Sequence, residues 1–297
     1  TITNKGGVDQ IDLTFGGNVN DKFYFGGGMG FSILTFQSDA QFSELNSGAT
    51  ANGFDNYTFS STLSEKGLGL NAKFGIIYRP VRWMRLGASY QIPTYYFLTE
   101  NYQASMIVNY DTFYYSEQAQ SYPLKYKLRS PMKGTVSSSF YFNEHGFFSV
   151  DYEFLNYGSS RFNFGSAYKS TSNAVNESIG QAYGFGHVIR AGIEGAYKSL
   201  RVRAGYSYST TPFKKDQFTK GFSEVRNNAS IGIGYRGKRF YADFAYLFGI
   251  MKNDSQSYAD FDVKNTNMTH SMFLTLGWKI NKEAARKEKS DIPVRDF

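Results

Sequence analysis

The chain has 297 residues with 32 Lys and Arg against 25 Asp and Glu, a formal net charge of +7, and it contains 28 Phe, 24 Tyr and 30 Gly. The absence of cysteine excludes a disulfide framework, a thiolate metal site and a cysteine nucleophile. No run approaches the ~18 consecutive apolar residues of a membrane helix. The basic residues are scattered along the chain, so nucleic-acid binding is not expected.

Apolar side chains alternate with polar ones in a series of extended runs. In the hairpin over residues 66–93, Leu68, Phe74 and Ile76 share one face and Lys73 lies on the other. Runs of about ten residues exceed the ~5 to 6 of an ordinary strand and suit a tilted strand that crosses a bilayer. The pattern predicts about eleven crossing strands, with apolar residues in 11–15, 23–33, 68–78, 84–92, 122–142, 148–154, 189–197, 200–208, 229–235, 240–248 and 272–278.

The connections between these runs alternate between short and long. The short turns lie near Asn20, Pro80, Gly146, Ser199 and Gly237. The long connections, predicted as polar loops, cover residues 37–65, 157–186, 210–225 and 251–266. Outer-membrane barrels have short periplasmic turns and longer external loops, so this alternation orients the chain.

Two further segments interrupt this plan. The aromatic and polar stretch 94–122 is predicted to extend its flanking strands beyond the bilayer. Pro131 cannot donate a ladder hydrogen bond and therefore predicts a bulge or bend inside its strand.

Charge placement tests the membrane hypothesis. An Arg on the lipid face at mid-bilayer costs roughly 2 to 4 kcal/mol, so a barrel keeps its charges on the inner face. The charged residues opposite the apolar face are Lys73, Arg85, Asp151, Glu153, Arg190, Glu194, Arg201, Arg203 and Asp243. A soluble one-sided sheet would need a covering layer, and no helical pattern long enough for one is present. The sequence predicts an all-β, transmembrane antiparallel β-barrel of the outer-membrane type.

Strand number and composition predict the domain boundaries. Residues 1–280 are predicted to form the β-barrel. Single-chain bacterial barrels have even numbers of strands, so a count of about eleven predicts that the N-terminal hatch and the first strands are absent from this chain. Residues 281–297 are charged and do not alternate. They are predicted to form a periplasmic tail.

Two segments of the 66–93 hairpin carry a family resemblance. Residues 67–80 (G-L-G-L-N-x-K-x-G-I-I-Y-R-P) and 85–94 (R-L-G-A-S-Y-x-x-P-T) resemble the FadL-type outer-membrane transporters of long-chain fatty acids and aromatic hydrocarbons. The resemblance continues through residues 128–157 and 187–212. It implies a fourteen-stranded barrel with an N-terminal hatch in its lumen and a lateral opening near an early kinked strand. The chain resembles the later part of this plan, so the hatch and the gate are expected to lie outside it.

Six charged residues on the predicted lumenal face are candidates for ligand contact: Lys73, Arg85, Arg190, Glu194, Arg201 and Arg203. One hypothesis is a cationic ladder, formed by the arginines around Glu194, that attracts the carboxylate of a fatty acid. The alternative is a set of ion pairs that serve only to line a polar lumen. Both interpretations place these residues on the lumenal face.

Catalytic, metal and cofactor sites are not predicted. His145, His187 and His270 lack the spacing of metal ligands. Asp151 and Glu153 lie two apart and could act as an acid and a base, but ion pairing inside a polar lumen is the favoured interpretation.

The resemblance implies an outer-membrane transporter or channel for hydrophobic small molecules such as long-chain fatty acids. An alternative is a related barrel that does not transport and serves as a structural or adaptor subunit of a surface or secretion assembly. Long loops rich in Tyr and Asn suit contacts with other envelope proteins. Either function requires the bacterial outer membrane.

Overall fold

A computed structural model describes residues 1–48, 53–119, 122–214, 223–258 and 261–278 of the chain. These residues form one antiparallel sheet with a single α-helix inserted between two of its strands. The strands are β1 (Ile2–Val19), β2 (Phe23–Leu45), β3 (Phe54–Val81), β4 (Met84–Gln91), β5 (Tyr95–Tyr110), β6 (Tyr114–Gln118), β7 (Leu124–Arg129), β8 (Met132–Tyr141), β9 (Gly146–Asn156), β10 (Arg161–Asn163), β11 (Phe185–Tyr197), β12 (Leu200–Ser209), β13 (Ser223–Arg236), β14 (Phe240–Tyr258) and β15 (Phe261–Trp278). The helix α1 spans Lys169–Ala182, and short 3₁₀ turns lie at Tyr157–Ser159 and Ser166–Tyr168.

The fifteen strands form eleven passages across the sheet, because β4 and β5 form one interrupted passage, β6, β7 and β8 form a second, and β9 and β10 form a third. The long strand β3 pairs along one edge with β2 and along the other with both β4 and β5. In the same way β8 and β7 continue one another, as do β9 and β10. This count and the antiparallel architecture confirm the predicted fold class.

The two faces of the sheet differ as the alternation predicts. Leu68, Phe74 and Ile76 on the apolar face are 62, 55 and 62% exposed. Their neighbours on the polar face are more covered, with Asn71 at 6%. An apolar face left open over a whole sheet is stable only when lipid covers it.

Tight turns join the strands at one end of the sheet. Asn20, Asn143 and Lys198 have φ of 53, 50 and 52°, a left-handed conformation that Asn tolerates well. Gly146 has a φ of 147°, and a Cβ there would lie 1.9 Å from the Glu194 carbonyl oxygen. The short turns therefore lie where the sequence predicts them.

Two of the predicted loops are wrong. Residues 37–45 and 54–65 continue β2 and β3 in unbroken register, with Phe42 opposite Phe59. Residues 251–258 and 261–266 likewise continue β14 and β15. Ser, Thr and Asn beyond the bilayer keep the strand period although both faces are polar, so hydropathy gave no signal there.

The remaining connections divide between confirmation and correction. The prediction that 94–122 extends the strands is confirmed by β5 and β6. The predicted loop 157–186 is wrong for residues 169–182, which form α1. Residues 215–222, half of the loop predicted at 210–225, lie outside the described residues, and residues 223–225 already belong to β13. The tail predicted at 281–297 lies outside them entirely.

The sheet has two free edges within the described residues. β1 pairs only with β2, and β15 pairs only with β14. With eleven passages these edge strands run in the same direction, so they cannot pair antiparallel with each other. None of the helices in the described ranges is long and apolar enough to cross a membrane.

Candidate functional site

A chain of ion pairs follows the polar face of β11 to β14. Arg203 Nε donates to Glu194 Oε2 at 2.6 Å, and Arg203 Nη1 donates to Asp243 Oδ1 at 2.7 Å. Arg236 Nη1 donates to the second Asp243 oxygen at 2.8 Å. Arg201 lies 3.7 Å from Glu194. These five residues are the lumenal ladder, in which every charge faces an opposite one.

A second cluster on the same face neighbours the lumenal ladder. Arg190 Nη2 lies 3.2 Å from Glu153 Oε1, and Lys133 Nζ lies 3.8 Å from Glu153 Oε2. The structure thus brings four predicted site residues onto adjoining strands: Arg190, Glu194, Arg201 and Arg203. Each of these arginines pairs with a carboxylate, as a polar lining requires, and their attraction for an acidic ligand stays a prediction.

The other two predicted residues lie apart from the ladder, on β3 and β4. Lys73 Nζ lies 2.8 Å from Asp12 Oδ2. Arg85 Nη1 donates to the Tyr141 hydroxyl at 3.0 Å and lies over the Tyr141 ring at 4.6 Å. Asp12 was missed by the sequence reasoning, although its position between the outward Ile11 and Leu13 was a usable signal.

Three successive passages of the wall break at the same level. The first breaks at residues 92–94 between β4 and β5, the second at residues 130–131 between β7 and β8, and the third at residues 157–160 between β9 and β10. Pro93 and Pro131 supply two of these breaks because proline cannot donate to a strand ladder. The bend predicted at Pro131 is therefore confirmed, and it is one of three.

The first two breaks remain linked to each other. Ser130 N donates to the Thr94 carbonyl at 2.9 Å, and Thr94 N donates to Ser130 Oγ at 2.8 Å. Asn71 Nδ2 donates to Thr94 Oγ1 at 3.2 Å, and Thr94 is 5% exposed. The wall is closed at this point.

The second and third breaks separate from each other. Tyr157 N and Gly158 N donate to the Gly184 carbonyl at 3.0 and 3.4 Å, so this backbone turns toward β11. The Arg129 side chain bridges the separation, with Nη2 donating to the Ser159 carbonyl at 2.7 Å. Side-chain contact replaces the backbone ladder here, which leaves an interruption in the wall.

A cavity of about 590 Å³ lies against this interruption. Leu128, Leu155, Phe162 and Val188 line it from the polar face of the sheet, and Pro131 lines it at the break. Most of its lining is apolar, although it lies on the face that is otherwise polar. Its size falls within the ~300 to 1,000 Å³ of small-molecule sites.

The helix α1 covers part of the same cavity. Asn176 accepts from Phe162 N at 2.7 Å and donates to the Phe162 carbonyl at 2.9 Å, as a strand partner would. Ser172 Oγ accepts from Phe164 N at 3.0 Å. Ile179 then contributes to the cavity lining. On this side β10 has no neighbouring strand, so side chains of α1 satisfy the backbone groups instead. These hydrogen bonds also hold the helix in place.

One ion pair marks the mouth of the cavity. Arg226 Nη2 lies 3.8 Å from Glu224 Oε1, and both side chains line the cavity while about half exposed. The site thus combines an apolar interior with a charged pair at its rim.

An acidic pair lies beyond the apolar band, on the polar face. Glu65 stands directly opposite Glu100 in the register of β3 and β5. The Tyr126 hydroxyl donates to Glu65 Oε1, and the Tyr126 ring packs on Phe162 at 5.8 Å. Burial and then the charge of Glu65 raise the pKa of the Glu100 carboxyl above its ordinary value.

A larger depression of about 680 Å³ lies among β1 to β4 and β8. Its lining includes Phe15 and Phe74 from the apolar face together with Lys73 and Gln91 from the polar face. A volume that takes in both faces of one sheet is not a single chamber. It reflects missing side chains at glycines such as Gly75.

The histidines and carboxylates suggest no metal centre. The Tyr152 hydroxyl lies 2.7 Å from His187 Nδ1, and the Tyr246 hydroxyl lies 2.6 Å from His270 Nδ1. Across the described ranges no group of three His, Asp or Glu side chains is placed to hold a metal ion.

Bilayer-length antiparallel strands with one apolar and one charged face define an outer-membrane β-barrel protein. The model of the outer-membrane transport protein family (OMPP1/FadL/TodX) matches residues 8–276 of the chain. The chain belongs to this family, whose members transport hydrophobic compounds, and its location is the bacterial outer membrane.

Solved structures of low sequence identity share the fold. The CymD monoaromatic hydrocarbon channel is 14% identical with a TM-score of 0.58, and the match covers 95% of this chain and 78% of that one. A FadL homologue of Pseudomonas aeruginosa is 14% identical with a TM-score of 0.60, covering 92% and 68%. The toluene transporter TbuX of Ralstonia pickettii is 16% identical with a TM-score of 0.56, covering 93% and 68%. No curated protein sequence matches the chain significantly.

Proposed function

We propose that this protein binds long-chain fatty acids or similarly apolar molecules in the cavity beside the wall break and passes them across the outer membrane. The observation that carries the proposal is the apolar lining of that cavity on a face that is otherwise charged. Leu155 and Val188 occupy positions whose neighbours along the strands are Glu153 and Arg190. An apolar cavity at one position on an otherwise charged face suits an apolar ligand.

The rim of the cavity supports an acid as the ligand. A bound fatty acid would place its chain against Leu128 and Leu155 and its carboxylate near Arg226. Arg226 lies 3.8 Å from Glu224 and is 51% exposed, so the carboxylate of a ligand can compete with Glu224 for it. A hydrocarbon without a carboxylate gains nothing from this arginine.

The wall break supports a sideways exit for the ligand. The cavity lining includes Pro131 and Ser160, one from each side of the interruption between the second and third passages. A ligand that leaves there would enter the bilayer without crossing the lumenal ladder, which lies at the other end of its strands, near the tight turns.

A cavity-filling substitution tests the site. Val188→Trp places an indole in the cavity and should weaken binding of a fluorescent fatty acid by about 100-fold, because an overfilled apolar site loses the burial of the ligand chain. The matched control is Ile193→Trp, which lies on the apolar face of the same strand and is 52% exposed in the wild type. Equal loss in both variants, or none in Val188→Trp, would contradict the site.

The nature of the ligand requires separate variants. If the rim binds an acid, Arg226→Ala should weaken fatty-acid binding and leave alkane binding unchanged. If the lumenal ladder attracts the acid instead, Arg201→Ala and Arg203→Ala should weaken fatty-acid binding and leave alkane binding unchanged. Fluorescent fatty acid and alkane titrations of the three variants distinguish the two positions, and unchanged affinity throughout would exclude recognition of the carboxylate.

An adaptor function is the second candidate. Strands β2 and β3 extend well beyond the apolar band, and Phe42 and Leu45 there are 55 and 75% exposed. Exposed apolar residues outside the membrane suit contacts with other envelope proteins. Crosslinking in whole cells from a photoreactive residue at position 42 tests this function. An absence of crosslinked partners would exclude it and leave transport as the remaining candidate.

A further inference from the structure

Five cations lie together on the outward side of the wall, at the edge of the apolar band. We name them the outer basic patch: Lys66, Lys125, Lys127, Arg129 and Arg161. Strand register brings them together, since Lys66 pairs with Thr99 and Thr99 with Lys125. Arg129 likewise pairs with both Tyr95 and Arg161. The patch thus covers one corner formed by β3, β5, β7 and β10.

The depth of the patch is set by its neighbours. Leu68 and Leu70 are the apolar residues that follow Lys66 on the same face of β3, and Phe97 stands opposite Leu68. Lys127 Nζ lies 5.4 Å from the centre of the Phe97 ring. Aromatic rings mark the interface between acyl chains and headgroups, so the three lysines lie at headgroup depth on the side opposite the tight turns. Arg129 is in register with Tyr95 and Leu70 and extends the patch toward the apolar band.

The patch differs in charge balance from the polar face. There, Lys73, Arg190 and Arg203 lie 2.8, 3.2 and 2.6 Å from carboxylates. Within the described ranges, none of the five patch cations lies within ion-pairing distance of a carboxylate. The patch is therefore a cluster of cations with no counter-charge from the protein that the structure describes.

The two arginines are held in place by the wall break. Arg161 Nη1 donates to the Gly158 and Ser160 carbonyls at 2.8 and 2.7 Å, and Arg129 Nη2 donates to Ser159. Arg129 Nε is buried and has no hydrogen-bond partner among the described residues. That buried nitrogen is closed to ligands, whereas the exposed side chain of Arg161 is fixed in place. A fixed, exposed guanidinium group is suited to phosphate, whose oxygens accept two parallel bonds.

We propose that the outer basic patch binds the phosphate groups of glycolipids in the outer leaflet. Lipid is the occupant because the patch is continuous with the apolar face that acyl chains cover. A phosphorylated headgroup whose chains pack on Leu68 and Phe97 would place its phosphates among the lysines and arginines. The site is separate from the cavity, which lies on the other face of the sheet and shares only β7 and β10 with the patch.

Binding of lipid A to the full chain in nanodiscs tests the proposal. The triple variant Lys66→Gln, Lys125→Gln, Lys127→Gln should bind bis-phosphorylated lipid A roughly 100-fold more weakly, about fivefold for each cation removed near an anionic headgroup. Lys127→Gln alone should lose about fivefold. The control carries the same charge change at the opposite end of the wall: Lys22→Gln, Lys198→Gln, Lys238→Gln.

Two further arms identify the ligand. Dephosphorylated lipid A should bind wild type and triple variant equally weakly, and inorganic phosphate at millimolar concentration should leave lipid binding intact. Equal binding of lipid A by the triple variant and its control would overturn the proposal. Complete displacement by inorganic phosphate would overturn it in favour of a free-anion site, and unchanged binding of fluorescent fatty acid verifies that the triple variant is folded.

Discussion

The wall formed by β11 to β14 and the wall formed by β4 to β10 follow different rules. In the first, strands pair without interruption and the lumenal ladder matches each cation to a carboxylate. In the second, every passage breaks at one level, and the cavity and the outer basic patch lie on either side of the breaks. Regular pairing fixes the shape of a wall, whereas an interruption exposes backbone groups and creates space that side chains and ligands can use.

The lumenal ladder should matter most to stability. Asp243→Ala leaves Arg236 without a carboxylate and leaves Arg203 paired only with Glu194, and it should lower the free energy of unfolding by about 2 kcal/mol. This is less than the ~3 to 5 kcal/mol of a fully buried pair, because these arginines are 36 and 35% exposed. Urea unfolding in lipid vesicles, followed by tryptophan fluorescence, measures the change.

A control variant on the surface of α1 separates the contribution of the lumenal ladder from that of an ordinary surface charge. Glu177→Ala on α1 removes one carboxylate that accepts a hydrogen bond from Gln181 at 3.3 Å. It should change the free energy of unfolding by less than about 0.5 kcal/mol. Similar losses in the two variants would mean that the ladder adds no more than a surface charge does.

Repairing a break should reduce transport. Pro131→Val restores a backbone donor and favours strand, so β7 and β8 can join into one continuous strand. Uptake of a fluorescent fatty acid into vesicles should slow about tenfold, which corresponds to roughly 1.4 kcal/mol in the barrier. Pro123→Val, outside the break, should leave uptake unchanged, and equal rates in both variants would argue against a sideways exit.

Titration of the Glu65–Glu100 pair should have the smallest effect on the free energy of unfolding. Because the pKa of Glu100 is raised in the folded state, that state binds more protons than the unfolded chain. The stability it contributes at low pH is lost as the pH rises from the ordinary carboxyl pKa through the raised value. The effect should stay below about 1 kcal/mol because the group is largely solvated.

Hydrogen exchange measures that local effect. Amides at the outer end of β5 should be less protected at pH 8 than at pH 5 after correction for intrinsic rates. Glu100→Gln should remove this difference, while Glu44→Gln on β2 should retain it. A pH dependence that survives in Glu100→Gln would assign it to another group.

Much of this wall could be predicted from alternation alone. Residues such as Leu68 and Lys73 fix the phase of β3, and the same phase places Arg203 and Glu194 on one face. A one-residue error in any strand would reverse its faces, so agreement across eleven passages is a strong constraint. The turns followed from residues such as Asn20 and Gly146, which suit left-handed backbone.

The candidate site was harder to predict, because its parts come from distant segments. Pro131 signals one break, but its alignment with Pro93 and residues 157–160 depends on pairing between strands. The helix α1 contains few apolar residues, and Asn176 gains its function only when β10 lies beside it. The Lys73–Asp12 pair joins residues on strands separated by a third, so no local pattern identifies it.

The described chain has almost no hydrophobic interior of its own. Leu98 and Tyr126 are the only apolar side chains buried below a tenth of their surface in the described residues, while most others face outward. The acyl chains of the membrane cover the apolar side chains that a soluble protein would bury in a hydrophobic core. Melting temperature should therefore follow acyl-chain length, since the lipid that covers Leu68, Phe74 and Ile76 acts as the missing half of the fold.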